Sequence, residues 1–146
     1  MGEDFKAKLD SLLSAHQVTK QRAQDSLRKL HEKEEQVRNE FKRLREEVFH
    51  PVMQEAAELL ESHGYQAEVK ETDPSNRLSG EPAITLFISA SSTRATITYR
   101  AGTPARTVII NGKVDEITGM FVDLPTTRDG LEQQLYNVLM QIFPNR

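Results

Sequence analysis

The sequence predicts an α+β fold: a long N-terminal, coiled-coil-like helix, a second helix, a four- to five-stranded antiparallel meander sheet and a C-terminal helix. Three observations carry that prediction. Between Gly2 and Pro51 there is neither glycine nor proline, so a long segment lacks the usual helix breakers. From Tyr65 onward the apolar period shortens from three-and-four to two, the mark of half-buried strands. After Thr126 the helical period returns, with Leu131, Leu135, Val138, Leu139 and Ile142 on one side.

In the first helix, Leu9, Leu12, Leu27, Leu30, Val37, Phe41, Leu44 and Val48 recur at steps of three and four and form a seam. His16, Thr19, Ala23 and Glu34 occupy the same stripe. The step from Ala23 to Leu27 repeats a four where a three is due, a stutter that locally unwinds a coiled coil. Polar seam residues cost stability but fix register and oligomer state. Opposite charges four apart (Asp25–Lys29, Glu34–Arg38, Lys42–Glu46, Arg43–Glu47) support an exposed helix, at roughly 0.2–0.5 kcal/mol each. Such a helix over residues 3–50 is about 70 Å long. The rest of the chain makes a domain only about 30 Å across. Most of the stripe therefore needs another surface, and no turn chemistry folds the segment back on itself. A second copy of the chain is the expected cover, with a dimer favoured. The expected organisation is an oligomerisation stalk over residues 1–50 and a small α+β head over residues 51–146.

Pro51 is read as a kink rather than a full break, because no loop residues surround it. His50, preceding proline, is biased away from helical dihedrals. Val52, Met53, Ala56, Ala57, Leu59 and Leu60 make a denser apolar pattern that belongs to the head core, and Gly64 is a candidate helix terminator. Tyr65, Ala67 and Val69 alternate with polar residues as a strand. Asp73–Pro82 is a loop by composition. Strands follow over Ile84–Ala90, Arg94–Arg100 and Thr107–Ile110. Asn111-Gly112 is a type I′ hairpin signal leading to a short strand over Lys113–Ile117. Thr126-Thr-Arg-Asp129 resembles a capping box that opens the last helix.

Strand parity separates two faces. Ile84, Leu86, Ile88, Ala95, Ile97, Tyr99, Val108 and Ile110 form the face that the helices cover. The opposite face carries Phe87, Arg94, Thr96, Thr98, Arg100 and Ile109, beside Thr85, Ser89 and Thr107. That second face is the candidate binding face. Arg106 shares the parity of Val108 and is expected at a strand end on the core side.

Chemistry is harder to find. The chain has no cysteine, which removes disulfides, thiolate nucleophiles and thiolate metal ligands. His16, His31, His50 and His63 show no ligand spacing for zinc, so no metal or cofactor is expected. The acidic candidates are Asp115, Glu116, Asp123 and Asp129; Asp115 and Glu116 are adjacent and would point to opposite faces of a strand, and Asp129 is better explained by the helix start. No phosphate-binding glycine loop, dinucleotide fingerprint or nucleophile elbow is present. Net charge is −3, from 19 basic and 22 acidic side chains, so no bulk attraction to nucleic acid is expected. The acidic start lacks a secretory apolar core and no run is long enough to span a membrane, so the expected setting is the cytoplasm, with no membrane partner. The function expected from these features is a non-enzymatic interaction protein, an adaptor, scaffold or chaperone-like factor with a protein partner. A nucleic-acid-binding module using Phe87, Arg94 and Arg100 is the alternative, and a small-ligand or catalytic domain the second alternative.

Overall fold

The computed structural model of the chain describes residues 2–74, 80–102, 105–114 and 124–143. The readings placed on Asp115, Glu116, Asp123 and the far end of the fifth strand lie outside these residues. The chain divides into two units, Met1–Val37 and Arg38–Arg146. The fold is α+β, with the order α1 (Gly2–Leu44), a π-helical turn (Arg45–Phe49), α2 (His50–Ser62), β1 (Gln66–Thr72), β2 (Ala83–Ala90), β3 (Thr93–Arg100), β4 (Arg106–Ile110), β5 (Lys113–Val114) and α3 (Arg128–Ile142). No helix among the described residues is long and apolar enough to cross a membrane.

The first unit is the helical segment from Gly2 to Val37. None of its described side chains is buried, and only Asp25 is half-buried. Its polar contacts are local, as expected of a solvated helix: Arg28 lies 3.8 Å from Asp25 and 3.9 Å from Glu32, and Thr19 donates to the Ala15 carbonyl at 3.0 Å.

The second unit starts at Arg38 rather than at the expected boundary after residue 50. Phe41 and Leu44 are the reason. They were expected on the self-association seam, yet they are 1% and 2% exposed inside the core, and Val48 packs partly buried against it. Their spacing of three continues the upstream stripe, so period alone does not separate a seam from a core. Phe49, which breaks that period by one residue, is fully buried and continues the same cluster. Its ring lies 5.7 Å from that of Phe41 and stacks on Tyr99 at 5.0 Å.

The chain remains helical through Pro51. His50 keeps helical dihedrals (φ −60°, ψ −50°), against the bias expected ahead of proline. The π turn explains the accommodation. The His50 N–H donates to the Arg45 carbonyl five residues back, which widens the turn before the proline ring. Pro51 follows as the second residue of α2, inside this continuous helix, and its missing N–H leaves a carbonyl of the preceding turn without its helical donor. The helix then ends at Gly64, whose φ of 89° suits a residue without a side chain. Tyr65 N–H reaches the Leu60 carbonyl at 3.1 Å and Gly64 N–H the Glu61 carbonyl at 3.0 Å, the paired bonds of a Schellman stop.

The five strands form one antiparallel sheet in the order β1-β2-β3-β4-β5. Neighbours in sequence are neighbours in space, as short connections require. The β4–β5 hairpin turns on Asn111 (φ 52°) and Gly112 (φ 81°), the two left-handed residues of a type I′ turn. Ile84, Leu86, Ile88, Ala95, Ile97, Tyr99 and Val108 are buried on one face, with Ile110 half-buried beside them. They meet Val52, Met53 and Ala57 of α2 and Leu131, Leu135, Val138 and Ile142 of α3 in a single core. Arg106 opens β4 and is buried, as its parity predicts. Helix α3 is capped by Thr127, one residue later than the expected box: its side chain accepts from Gly130 N–H at 3.1 Å.

Candidate interaction surfaces

Two surfaces among the described residues present apolar side chains to solvent in an organised way. The first is the helix face of the N-terminal unit. Leu12 is 66% exposed, Leu27 57% and Leu30 53%, and Phe5, Leu9, Leu13, Val18 and Val37 are exposed with them. Leu9, Leu12, Leu27, Leu30 and Val37 therefore remain where the seam was expected. The first turn of the helix also carries Phe5, four residues before Leu9. Over residues 2–37 this amphipathic helix buries no described side chain, so that stretch has not used the face that its sequence makes.

The second surface is the sheet face away from α2 and α3. The strand register assembles it row by row. Glu68, Phe87, Thr96, Ile109 and Val114 lie side by side across the five strands. Lys70, Thr85, Thr98 and Thr107 form the next row, and Gln66, Ser89 and Arg94 the row on the other side. Five of the six candidate residues stand in these rows, and Arg100, two residues beyond Thr98 on β3 and opposite Ala83, shares their face. An open hollow of about 740 Å³ is lined there by Gln66, Glu68, Phe87, Arg94, Thr96 and Ile109 among others.

Much of this face is already engaged within the chain. The Thr85 and Thr98 hydroxyls lie 2.9 Å apart, and Arg100 donates to the Thr107 hydroxyl at 3.0 Å. Lys70 Nζ stands 5.4 Å above the Phe87 ring, a cation–π contact worth about 0.5–1 kcal/mol at an exposed site. Arg94 uses its backbone, donating to Asn111 Oδ1 at 3.0 Å, while its side chain is exposed. Phe87, 38% exposed, and Arg94 are the members most open to a partner. With Glu68 directly beside Phe87, the charge of the face is mixed.

Sequence reasoning missed two features. Arg45 is buried and clasps the first edge of the sheet: Nη2 donates to both Asp73 carboxylate oxygens at 2.9 and 3.0 Å, and Nη1 to the Thr72 and Ala83 carbonyls at 3.3 Å. His50 Nδ1 lies 3.1 Å from Glu71 on the same edge. Arg38 makes a similar fork onto Glu81, at 2.7 and 2.9 Å, instead of serving only the helical pair expected with Glu34. Both arginines sat in what read as a charged helix surface, and nothing in their spacing marks a long-range acceptor. The other missed feature is an apolar groove of about 290 Å³ between α2 and α3, lined by Leu59, Leu60, His63, Tyr65, Leu139 and Phe143.

No group of three or more His, Asp or Glu side chains gathers among the described residues in a way that would hold a metal ion. Tyr99 is the core group with a clear displacement. Burial pushes its hydroxyl up to about 12, against the opposing effect of the Arg106 guanidinium. It faces α3, donating to Gln134 Oε1 at 2.8 Å, and opens onto neither surface described above. No family model, curated protein or solved structure matches the chain closely enough to indicate kinship.

Proposed function

We propose that this is a non-enzymatic interaction protein, adaptor-, scaffold- or chaperone-like, that self-associates as a dimer through residues 2–37. Its C-terminal unit then presents the outer sheet face to a protein partner. One observation carries the reading: a helical segment with an apolar stripe and no buried side chain. Covering a leucine or valine fully contributes about 1.5–3 kcal/mol. Leu9, Leu12, Leu27, Leu30 and Val37, each between 39% and 66% exposed, supply part of that from each copy against a cost of association of order 4–15 kcal/mol. The nucleic-acid reading has weaker support, because Arg100 is tied to Thr107 and Glu68 adjoins the Phe87 ring.

Light scattering on the intact chain at micromolar concentration tests the reading. The expected mass is twice that of one chain, falling to one chain in the double variant Leu12→Asp, Leu27→Asp with the sheet signal in circular dichroism unchanged. A monomeric parent chain with helical residues 2–37 refutes it. Salt-sensitive binding of mixed oligonucleotides, lost in Arg94→Ala, would favour the nucleic-acid alternative instead.

A further inference from the structure

Resting on the reading that residues 2–37 self-associate, we propose that two copies pair antiparallel in one register, about a two-fold axis between Thr19 and Lys20. The leucine spacing carries this. Leu9 and Leu12 lie three apart upstream, Leu27 and Leu30 three apart downstream, and all four are exposed. The two pairs are mirror images about the midpoint of residues 19 and 20. In that register Leu9 of each copy lies against Leu30 of the other, and Leu12 against Leu27. Each contact occurs twice, as an isologous interface demands.

The stutter, at the step from Ala23 to Leu27, lies just downstream of this axis. Upstream the seam reads Leu9, Leu12, His16, Thr19; carried back from Leu30, the downstream seam reads Leu27, Ala23, Lys20. The two frames meet between Thr19 and Lys20, at the axis. The polar layers are thereby gathered in the middle, with leucine layers on both sides. Thr19 already satisfies its hydroxyl on its own helix, through the Ala15 carbonyl, and so tolerates a place in the seam. The register also pairs residue 2 with residue 37, so it uses the whole first unit and stops where the compact unit begins.

Charge selects the same orientation. In a parallel, in-register pair, Glu34 would face Glu34, a like-charge layer inside the seam. In the antiparallel register Lys20 meets Thr19 and Glu34 meets Phe5. Lys8 of the opposite copy and Lys33 of the same copy flank that layer, so the Glu34 carboxylate stands beside two ammonium groups that would otherwise repel each other.

Because the chain has no cysteine, spin labels can be placed at single introduced sites. Gln21→Cys and Gln36→Cys are both on exposed positions of the helix. Pulsed dipolar spectroscopy on the full chain should give a short distance at Gln21, with labels about 5 Å apart along the axis and helices about 10 Å apart. At Gln36 the labels should be roughly 50 Å apart. Short distances at both sites overturn the antiparallel arrangement while leaving self-association intact. Equal intermediate distances at the two sites overturn this register. No coupling at either site, with a monomeric mass, removes both this inference and the reading beneath it. Charge exchange gives a second check: Glu34→Lys should raise the dimer dissociation constant several-fold, and adding Lys8→Glu should restore it. Failure of the second change to rescue the first counts against the proposed pairing.

Discussion

Tyr99 illustrates what a single side chain contributes at the centre of this molecule. Its ring stacks on Phe49, and its hydroxyl donates to Gln134 of α3, so one residue joins the π turn, the sheet and the last helix. Burial raises its ionisation from the usual value of 10.0 to about 12. The unfolded chain ionises near the lower value, so the stabilisation is whole below pH 10 and is lost as pH rises from there through 12. The full difference amounts to roughly 2–3 kcal/mol. Chemical denaturation of Tyr99→Phe should show a loss of about 1 kcal/mol near neutrality, from the missing hydrogen bond, and a flatter stability curve above pH 10. Residue by residue, the sequence was most readable where parity rules apply. Arg106 was placed on the buried side of its strand by counting alone. Arg45 was not, because its acceptors are an aspartate far along the chain and two backbone carbonyls, and helical spacing carries no information about them.

At the scale of elements, strands and turns were legible because their chemistry is local. Asn111-Gly112 fixes a hairpin wherever it occurs between strands, and Gly64 ends α2 for the same kind of reason. The first helix was legible in extent but not in allegiance. Phe41 and Leu44 continue the spacing of Leu27 and Leu30, yet one pair is buried in a core and the other is exposed. The difference depends on what lies opposite, which periodicity does not record. Phe41→Ala should therefore reduce the unfolding free energy of the C-terminal unit by about 3–5 kcal/mol in urea titrations. Leu30→Ala, at concentrations too low for association, should change it by less than about 0.5 kcal/mol. Similar losses from both would mean that the two stretches belong to one cooperative structure.

For the whole molecule, every buried residue described lies at or beyond Phe41. The second unit thus contains a complete core of its own, drawn from the end of α1, from α2, from four strands and from α3. A chain reduced to residues 38–146 should unfold cooperatively at nearly the midpoint of the intact protein, and should run as a single copy in light scattering. A scrambled or aggregated fragment would show that residues 2–37 are needed for folding as well as for assembly. The α+β class and its meander were visible from the outset because each helix and strand declares its own period. The division between the units was not, since the helix runs on with no glycine or proline to mark it.

The π turn has a consequence for ancestry. It holds one amino acid more than an ordinary helical path between the same two ends. Any descendant that straightens this stretch must discard a single codon between positions 45 and 49. A gap one column wide at that spot, flanked by undisturbed lettering on either side, would be its genetic trace.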